Sequence, residues 1–162
     1  MFVVSTKRDG FTIVELLIVI VVIGILAAIT IVAFNGVQDR AKFTREKSDM
    51  LNLNKAIQLY YAENGTYPIK PTWGGWSQAV NDDFIPGIAP KYISNTPQMP
   101  ASSDTNESYL YQSTPTGSGY KLIRYAGAGG LPQVQLTNNP LLDSVIRPTR
   151  GWGYWTTNAA GF

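Results

Sequence analysis

Neither cysteine nor histidine occurs in the 162 residues. The first absence removes disulfide frameworks, thiolate nucleophiles and the usual structural zinc clusters. The second removes the commonest general base and the commonest metal ligand. Charge is sparse too: 13 Lys and Arg stand against 11 Asp and Glu, a formal net of +2. So small a balance gives no clustered basic face of the kind nucleic acid demands. The remaining Ser, Lys and carboxylates are scattered, with no nucleophile and base at motif spacing, so the chain is not read as an enzyme. Proline and glycine are scarce in one part only. All ten Pro lie at or after Pro68, and twelve of the fifteen Gly at or after Gly65, which divides the chain into two different materials.

What the first part does contain is a long apolar run. From Leu16 to Phe34 there are 19 residues without a charge. As a helix they measure about 28 Å, close to a hydrocarbon core of about 30 Å. A globular helix apolar on every face is rare in so short a chain, and a cleaved secretory signal is shorter and ends in small residues. The run reads as a retained membrane helix. Glu15 stands at its head, one turn inside the wider apolar stretch Phe11–Phe34, where a carboxylate is costly. Either it lies near the interface and reaches back to headgroup water, or it needs a cation from elsewhere. No Lys or Arg lies between Glu15 and Arg40, which leaves Lys7, Arg8 or a new amino terminus.

The helical pattern continues beyond the apolar run. Phe43, Met50, Leu53, Ile57, Tyr60 and Asn64 step by 7, 3, 4, 3 and 4 residues, which is one helix face. Asp39, Arg45, Lys47, Asn52 and Lys55 take the other side. Asn64-Gly65 supplies a C-terminal cap and Pro68 prevents resumption, so residues 11–64 read as one helix of about 80 Å. From Gly65 the texture becomes turn-rich. Residues 108–112 and 119–125 read as strands joined by a hairpin over 114–118, and 133–137 as a third strand with Val134 and Leu136 on one face. The fold class is α+β, a long N-terminal helix packed on a small antiparallel sheet. Tyr109, Tyr111, Tyr120 and Tyr125 suit cross-strand and sheet-to-helix packing. Trp73, Trp76, Trp152 and Trp155 fall in Gly-containing loops. They are either a surface for sugars or a partner, or plugs that fold back, the Gly151–Trp155 tail closing the core.

Gly10-Phe11-Thr12-Ile13-Val14-Glu15-Leu16-Leu17-Ile18-Val19-Ile20, after a short basic leader, resembles the start of type IV pilins and their pseudopilin relatives. The match is highly specific over these first twenty or so residues and weaker downstream. It implies cleavage by a prepilin peptidase between Gly10 and Phe11, methylation of Phe11, and pairing of Glu15 with the N-terminal ammonium of a neighbouring subunit. Such a pair makes sense in lipid, where each charge alone is costly and only one axial stagger satisfies both. The resemblance further implies a leader over 1–10, a transmembrane and filament-core helix over 11–34, its amphipathic continuation over 35–64, and an extracytoplasmic headgroup over 65–162. Glu63-Asn64-Gly65-Thr66-Tyr67-Pro68 and the segment from Phe84 to Ile93, with Pro97 and Pro100 after it, resemble pseudopilin connections between helix and sheet.

The function so implied is that of a structural subunit of a type IV pilus-like filament. Its partners would be further copies of itself, the inner or cytoplasmic membrane before assembly, the prepilin peptidase and a pilus assembly platform. The alternatives are a pseudopilin of a type II secretion or competence machine, or a minor tip adhesin using its Trp-bearing loops. Gly24 is where some pilin helices loosen in the filament, although Val32 stands where many pilins carry Pro. Counting Arg40, Lys42, Arg45 and Lys47 against Lys7 and Arg8, the positive-inside rule would hold the C-terminal part in the cytoplasm. The resemblance puts it outside, and long domains translocate largely regardless of charge. Some secretion pseudopilins bind calcium, but Asp82-Asp83 and Asp104, Glu107 and Asp143 form no matching run of acids, so neither metal nor cofactor is expected. Asn64-Gly65-Thr66 and Asn106-Glu107-Ser108 fit the glycosylation tripeptide.

Overall fold

The computed structural model describes residues 11–76, 83–99 and 106–162. Helix α1 spans Ile13–Asn64, and strands β1 (Glu107–Ser113), β2 (Tyr120–Ala126) and β3 (Gly151–Trp155) form one antiparallel sheet in the order β1-β2-β3. A one-turn helix α2 (Gln133–Leu136) lies between β2 and β3, and a 3₁₀ turn (Thr157–Ala159) follows. The chain divides into two compact units, residues 1–38 and 39–162.

In the first unit, α1 is long and apolar enough to cross a membrane, and none of its most apolar stretch is buried against the rest of the protein. Its one hydroxyl in mid-run is satisfied locally, Thr30 Oγ1 donating to the Ala27 carbonyl at 2.9 Å, which removes an unpaired polar group from the apolar surface.

In the second unit, Met50, Leu53 and Ile57 of α1 are fully buried, with Phe43 and Tyr60 packed at the rim, as the spacing predicts. Ala56 joins them, and so does a charged residue, Glu46. The helix stops where the sequence places the stop. Gly65 adopts φ +73°, a left-handed conformation glycine takes without Cβ strain, and its N–H donates to the Tyr61 carbonyl at 2.8 Å. Phe84, Ile85 and Ile88 from the following segment complete the core beside Tyr109, Tyr111, Tyr120, Leu122 and Trp152.

Strand β1 extends one residue beyond the expected limits at each end, β2 is shifted by one residue toward the C-terminus, and Thr114 and Gly119 close the turn through a 2.9 Å backbone bond. The third strand is a correction. Residues 133–136 form α2 rather than a strand. Pro132 before it suits a helix start, and four residues are too few for alternation to be told from a turn. The third strand is Gly151–Trp155 instead, pairing Trp152 with Arg124 and Gly153 with Ile123. Its glycines hide it from a propensity reading, yet a Cβ at Gly153 would lie 2.0 Å from the Leu122 carbonyl oxygen, so only glycine fits. Each sheet edge carries further backbone pairing. Gly74 exchanges backbone bonds with Tyr111 at 2.9 and 3.1 Å, while Asp143 N–H and Gly153 N–H bond to Gly151 and Leu141 carbonyls at 3.0 and 2.8 Å. Edges closed this way resist strand addition.

Candidate functional site

The first candidate site is the start of α1. Thr12 precedes the first helical residue, and its Oγ1 accepts from Glu15 N–H at 3.2 Å. Glu15 Oε2 in return accepts from Thr12 N–H and Thr12 Oγ1–H, both at 2.8 Å. This reciprocal arrangement is a capping box, which satisfies two of the amide donors that a helix start leaves unpaired. One carboxylate oxygen is thus engaged locally, while Oε1 has no partner among the described residues. Phe11, next to it, is 83% exposed. Gly10, Lys7 and Arg8 lie outside the described residues. Further along, a Cβ at Gly24 would meet nothing within 4 Å, so no packing demand explains the glycine. The side chain of Val32 lies outside the described set.

The second candidate is a polar network that the sequence reading missed, buried between α1 and the sheet. Arg124 is fully buried. Its Nε and Nη2 donate to the two Glu46 oxygens at 3.2 and 3.1 Å, and Nη2 also reaches Glu107 Oε1 at 2.7 Å. Gln135 from α2 donates to Glu46 Oε2 at 2.7 Å and accepts from Trp152 Nε1 at 2.8 Å. Lys42 bonds to Glu107 Oε2 at 2.9 Å. Two cations thus face two carboxylates, the condition under which buried charge is tolerable. Arg124 Nη1 finds no partner among the described residues. The signal was present: Glu46 lies on the same helix row as Phe43, Met50 and Leu53, and Arg124 alternates with Leu122 and Tyr120. The tyrosines add to the join. Burial raises Tyr109 well above its ordinary value and Tyr120 to about 12, so both hydroxyls stay protonated and donate to α1. Tyr109 bonds Asp49 at 3.1 Å and Tyr120 bonds Asn54 at 2.5 Å.

Of the four Trp, Trp152 must leave the surface-binding set: it is fully buried in β3, edge-on to Phe43 at 5.7 Å between ring centroids. Trp155 also lies in β3 rather than a loop, with the Lys121 ammonium 5.0 Å from its ring centroid. Trp73 is half-buried under the Arg147 guanidinium at 5.0 Å, and Trp76 is 49% exposed against Tyr125. The acids considered for calcium are dispersed. Glu107 is bound to Arg124 and Lys42, and the buried Asp143 to Lys121 and Arg147 at 2.9 and 3.1 Å. Asp82, Asp104 and Pro100 lie outside the described residues. In the glycosylation tripeptides, Asn64 Nδ2 is engaged by the Tyr60 carbonyl and Tyr92 hydroxyl, and Ser108 is buried.

A surface cluster pins the 84–93 segment to the end of α1. Lys91 donates to Glu63 Oε1, and the Tyr92 hydroxyl to Glu63 Oε2 at 2.6 Å. The hydrogen bond from Lys91, followed by that from Tyr92, holds the Glu63 carboxyl below its ordinary 4.5. A carboxylate lowered in the folded state stabilises above its unfolded pKa and loses that contribution as pH falls through the folded one. Protection of the Tyr92 N–H, which bonds Ile88, relative to exchange from an unstructured chain at the same pH, is therefore expected to fall below pH 4.5. Glu63→Gln should remove that acid response; an unchanged response would refute the assignment.

A family model described as the prokaryotic N-terminal methylation motif matches residues 5–31. The type II secretion system core protein G of Klebsiella michiganensis is 32% identical over 103 residues, covering 60% of this chain and 71% of that protein. The corresponding protein of Escherichia coli is 32% identical over 88 residues, and the chain spans only 59% of its length. A fimbrial protein of Neisseria meningitidis serogroup B is 30% identical over 105 residues, 64% of this chain and 62% of that one. No solved structure matches the chain.

Proposed function

We infer a filament role from one premise: this chain belongs to the family of type IV pilins and pseudopilins. On that premise it is a structural subunit rather than a catalyst. It is held in the cytoplasmic membrane by α1, shortened by a prepilin peptidase between Gly10 and Phe11, methylated on Phe11 and stacked by α1 into a filament on an assembly platform. The headgroup, 65–162, would lie on the extracytoplasmic side. The observation that carries this reading is Glu15, one acid at the head of 19 uncharged residues, with one oxygen held by Thr12 and the other open.

A cation brought by a neighbouring subunit would answer that open oxygen at a single stagger. The relatives named for secretion favour a pseudopilus, and the fimbrial relatives a surface pilus; the same subunit chemistry serves both. Partly exposed Trp73 and Trp76 support a smaller second reading, a headgroup that also touches a ligand or partner.

Electron microscopy of sheared surface or periplasmic material, with mass spectrometry of the subunit's amino terminus, tests the role. The expected subunit has lost residues 1–10, leaving 152 of the 162 residues, and begins with a methylated Phe11. Met1 intact, or a cut after Ala28, would contradict the reading.

A further inference from the structure

The chain reverses beyond the start of β3. Gly153 N–H bonds the Leu141 carbonyl at 2.8 Å and Asp143 N–H the Gly151 carbonyl at 3.0 Å. Residues 141–143 therefore run antiparallel to β3, and residues 144–150 close a loop past its first residue. That end of the sheet is level with the beginning of the second unit. Lys42 bonds Glu107 at 2.9 Å, Glu107 is the register partner of Ala126, and Ala126 N–H bonds the Arg150 carbonyl at 2.8 Å. The opposite end is level with Asn54, which bonds Tyr120. The loop thus lies at the end of the headgroup where α1 enters it.

Two aliphatic side chains in this loop are left uncovered. Val145 is 84% exposed and Ile146 43%. The loop is internally bonded and holds them out: Arg147 N–H bonds the Asp143 carbonyl at 2.9 Å, Arg150 N–H the Arg147 carbonyl at 3.0 Å, and Ile146 N–H the Asp143 carboxylate at 3.4 Å. Asp143 is buried and neutralised by Lys121 and Arg147, so residues 144–150 offer solvent no anion, while Arg150 is exposed. On α1 at the same end, over residues 39–47, Arg40, Arg45 and Lys47 are exposed against one exposed acid, Asp39. Arg45 is only loosely engaged by Asp49, at 3.9 Å.

An aliphatic tip beside an excess of cations has the chemistry of an interfacial anchor. The apolar atoms enter the boundary between headgroups and acyl chains, and the cations meet lipid phosphates. A bilayer is also within reach. Lys42 follows Phe34, the end of the apolar run, by eight residues, at most about 28 Å even for a fully extended chain. On so short a tether the contact is intramolecular, so it can be weak and still be occupied.

We propose that the 144–150 loop docks on the anionic surface of the bilayer that holds α1, with Val145 and Ile146 in the interface and lipid phosphates against the bases that begin the second unit. The headgroup is then stowed on the membrane until the subunit leaves it, and a contact of two aliphatic side chains is small enough to release. This inference rests on the membrane placement of α1.

The chain has no Cys, so one introduced thiol carries a nitroxide spin label to one place. The full-length chain is reconstituted in vesicles of about three parts phosphatidylcholine to one of phosphatidylglycerol. The label at Ser144→Cys is expected to be about threefold or more less accessible to a neutral nickel chelate in water than the label at Thr116→Cys, an exposed position in the turn at the opposite end of the sheet. High salt, or vesicles of phosphatidylcholine alone, should shrink that protection. Adding Val145→Asp and Ile146→Asp to the Ser144→Cys chain should return the label to water. Equal access at 144 and 116 in the mixed vesicles overturns this inference alone. So does protection that persists without phosphatidylglycerol and grows with protein density, because the loop then covers another protein. A label at Ala28→Cys, inside the apolar run, that stays open to the chelate would overturn the membrane placement of α1 and this inference with it.

Discussion

Arg124→Met is expected to destabilise the headgroup by about 3–5 kcal/mol, the cost of stranding the partners of a buried ion pair. Glu46, fully buried, would lose its guanidinium partner, and Glu107 would lose one of its cations. Single domains of this size hold only about 5–15 kcal/mol in all, so much of the population would be unfolded at modest denaturant. Urea titration of the full chain in detergent, followed by tryptophan fluorescence, reads this directly, because Trp152 is bonded into the same network through Gln135. Arg150→Met, at an exposed position, is the control and should leave the midpoint in place. Replacing Glu46 and Glu107 by uncharged side chains together with Arg124→Met should recover much of the loss, because removing the whole charge set also removes its desolvation cost. A midpoint for Arg124→Met within about 1 kcal/mol of the unsubstituted chain would show that the network does not hold α1 to the sheet.

The same network marks where the sequence stopped being legible. The helix and its end were readable because Asn64-Gly65 and Pro68 are local chemistry and the 43, 50, 53, 57 row is periodic. Glu46 belongs to that row, but an acid among exposed bases reads as a solvated charge until its partner, 78 residues away in sequence, is placed opposite. The hairpin was legible from alternation and from Pro115 and Gly117. Strand β3 was not: two of its five residues are glycine, and the reason for Gly153 is the Leu122 carbonyl, a tertiary fact. Four residues of α2 carry no period, and Gln135 faces inward because Glu46 and Trp152 need its amide. At the amino end, Thr12-Ile13-Val14-Glu15 has capping-box spacing, which gains meaning only once the helix is known to start at Ile13.

Glu15→Ala is expected to leave membrane insertion intact, even slightly favoured, since a carboxylate in the apolar segment costs about 3 kcal/mol on insertion scales. Filament yield should nevertheless fall by at least about a hundredfold, because a pair that sets axial register loses its anion while the neighbouring ammonium stays in lipid. Two roles for Glu15 compete in that experiment: capping α1 through Thr12, and pairing with the next subunit. Glutamine separates them, since it can complete a capping box as glutamate does but cannot neutralise an ammonium. The decisive measurement is the ratio of filament-borne to membrane-borne subunit for Glu15→Gln. The charge-register account predicts that glutamine fails as alanine does, at normal membrane levels; filaments at the unsubstituted yield from Glu15→Gln would contradict it.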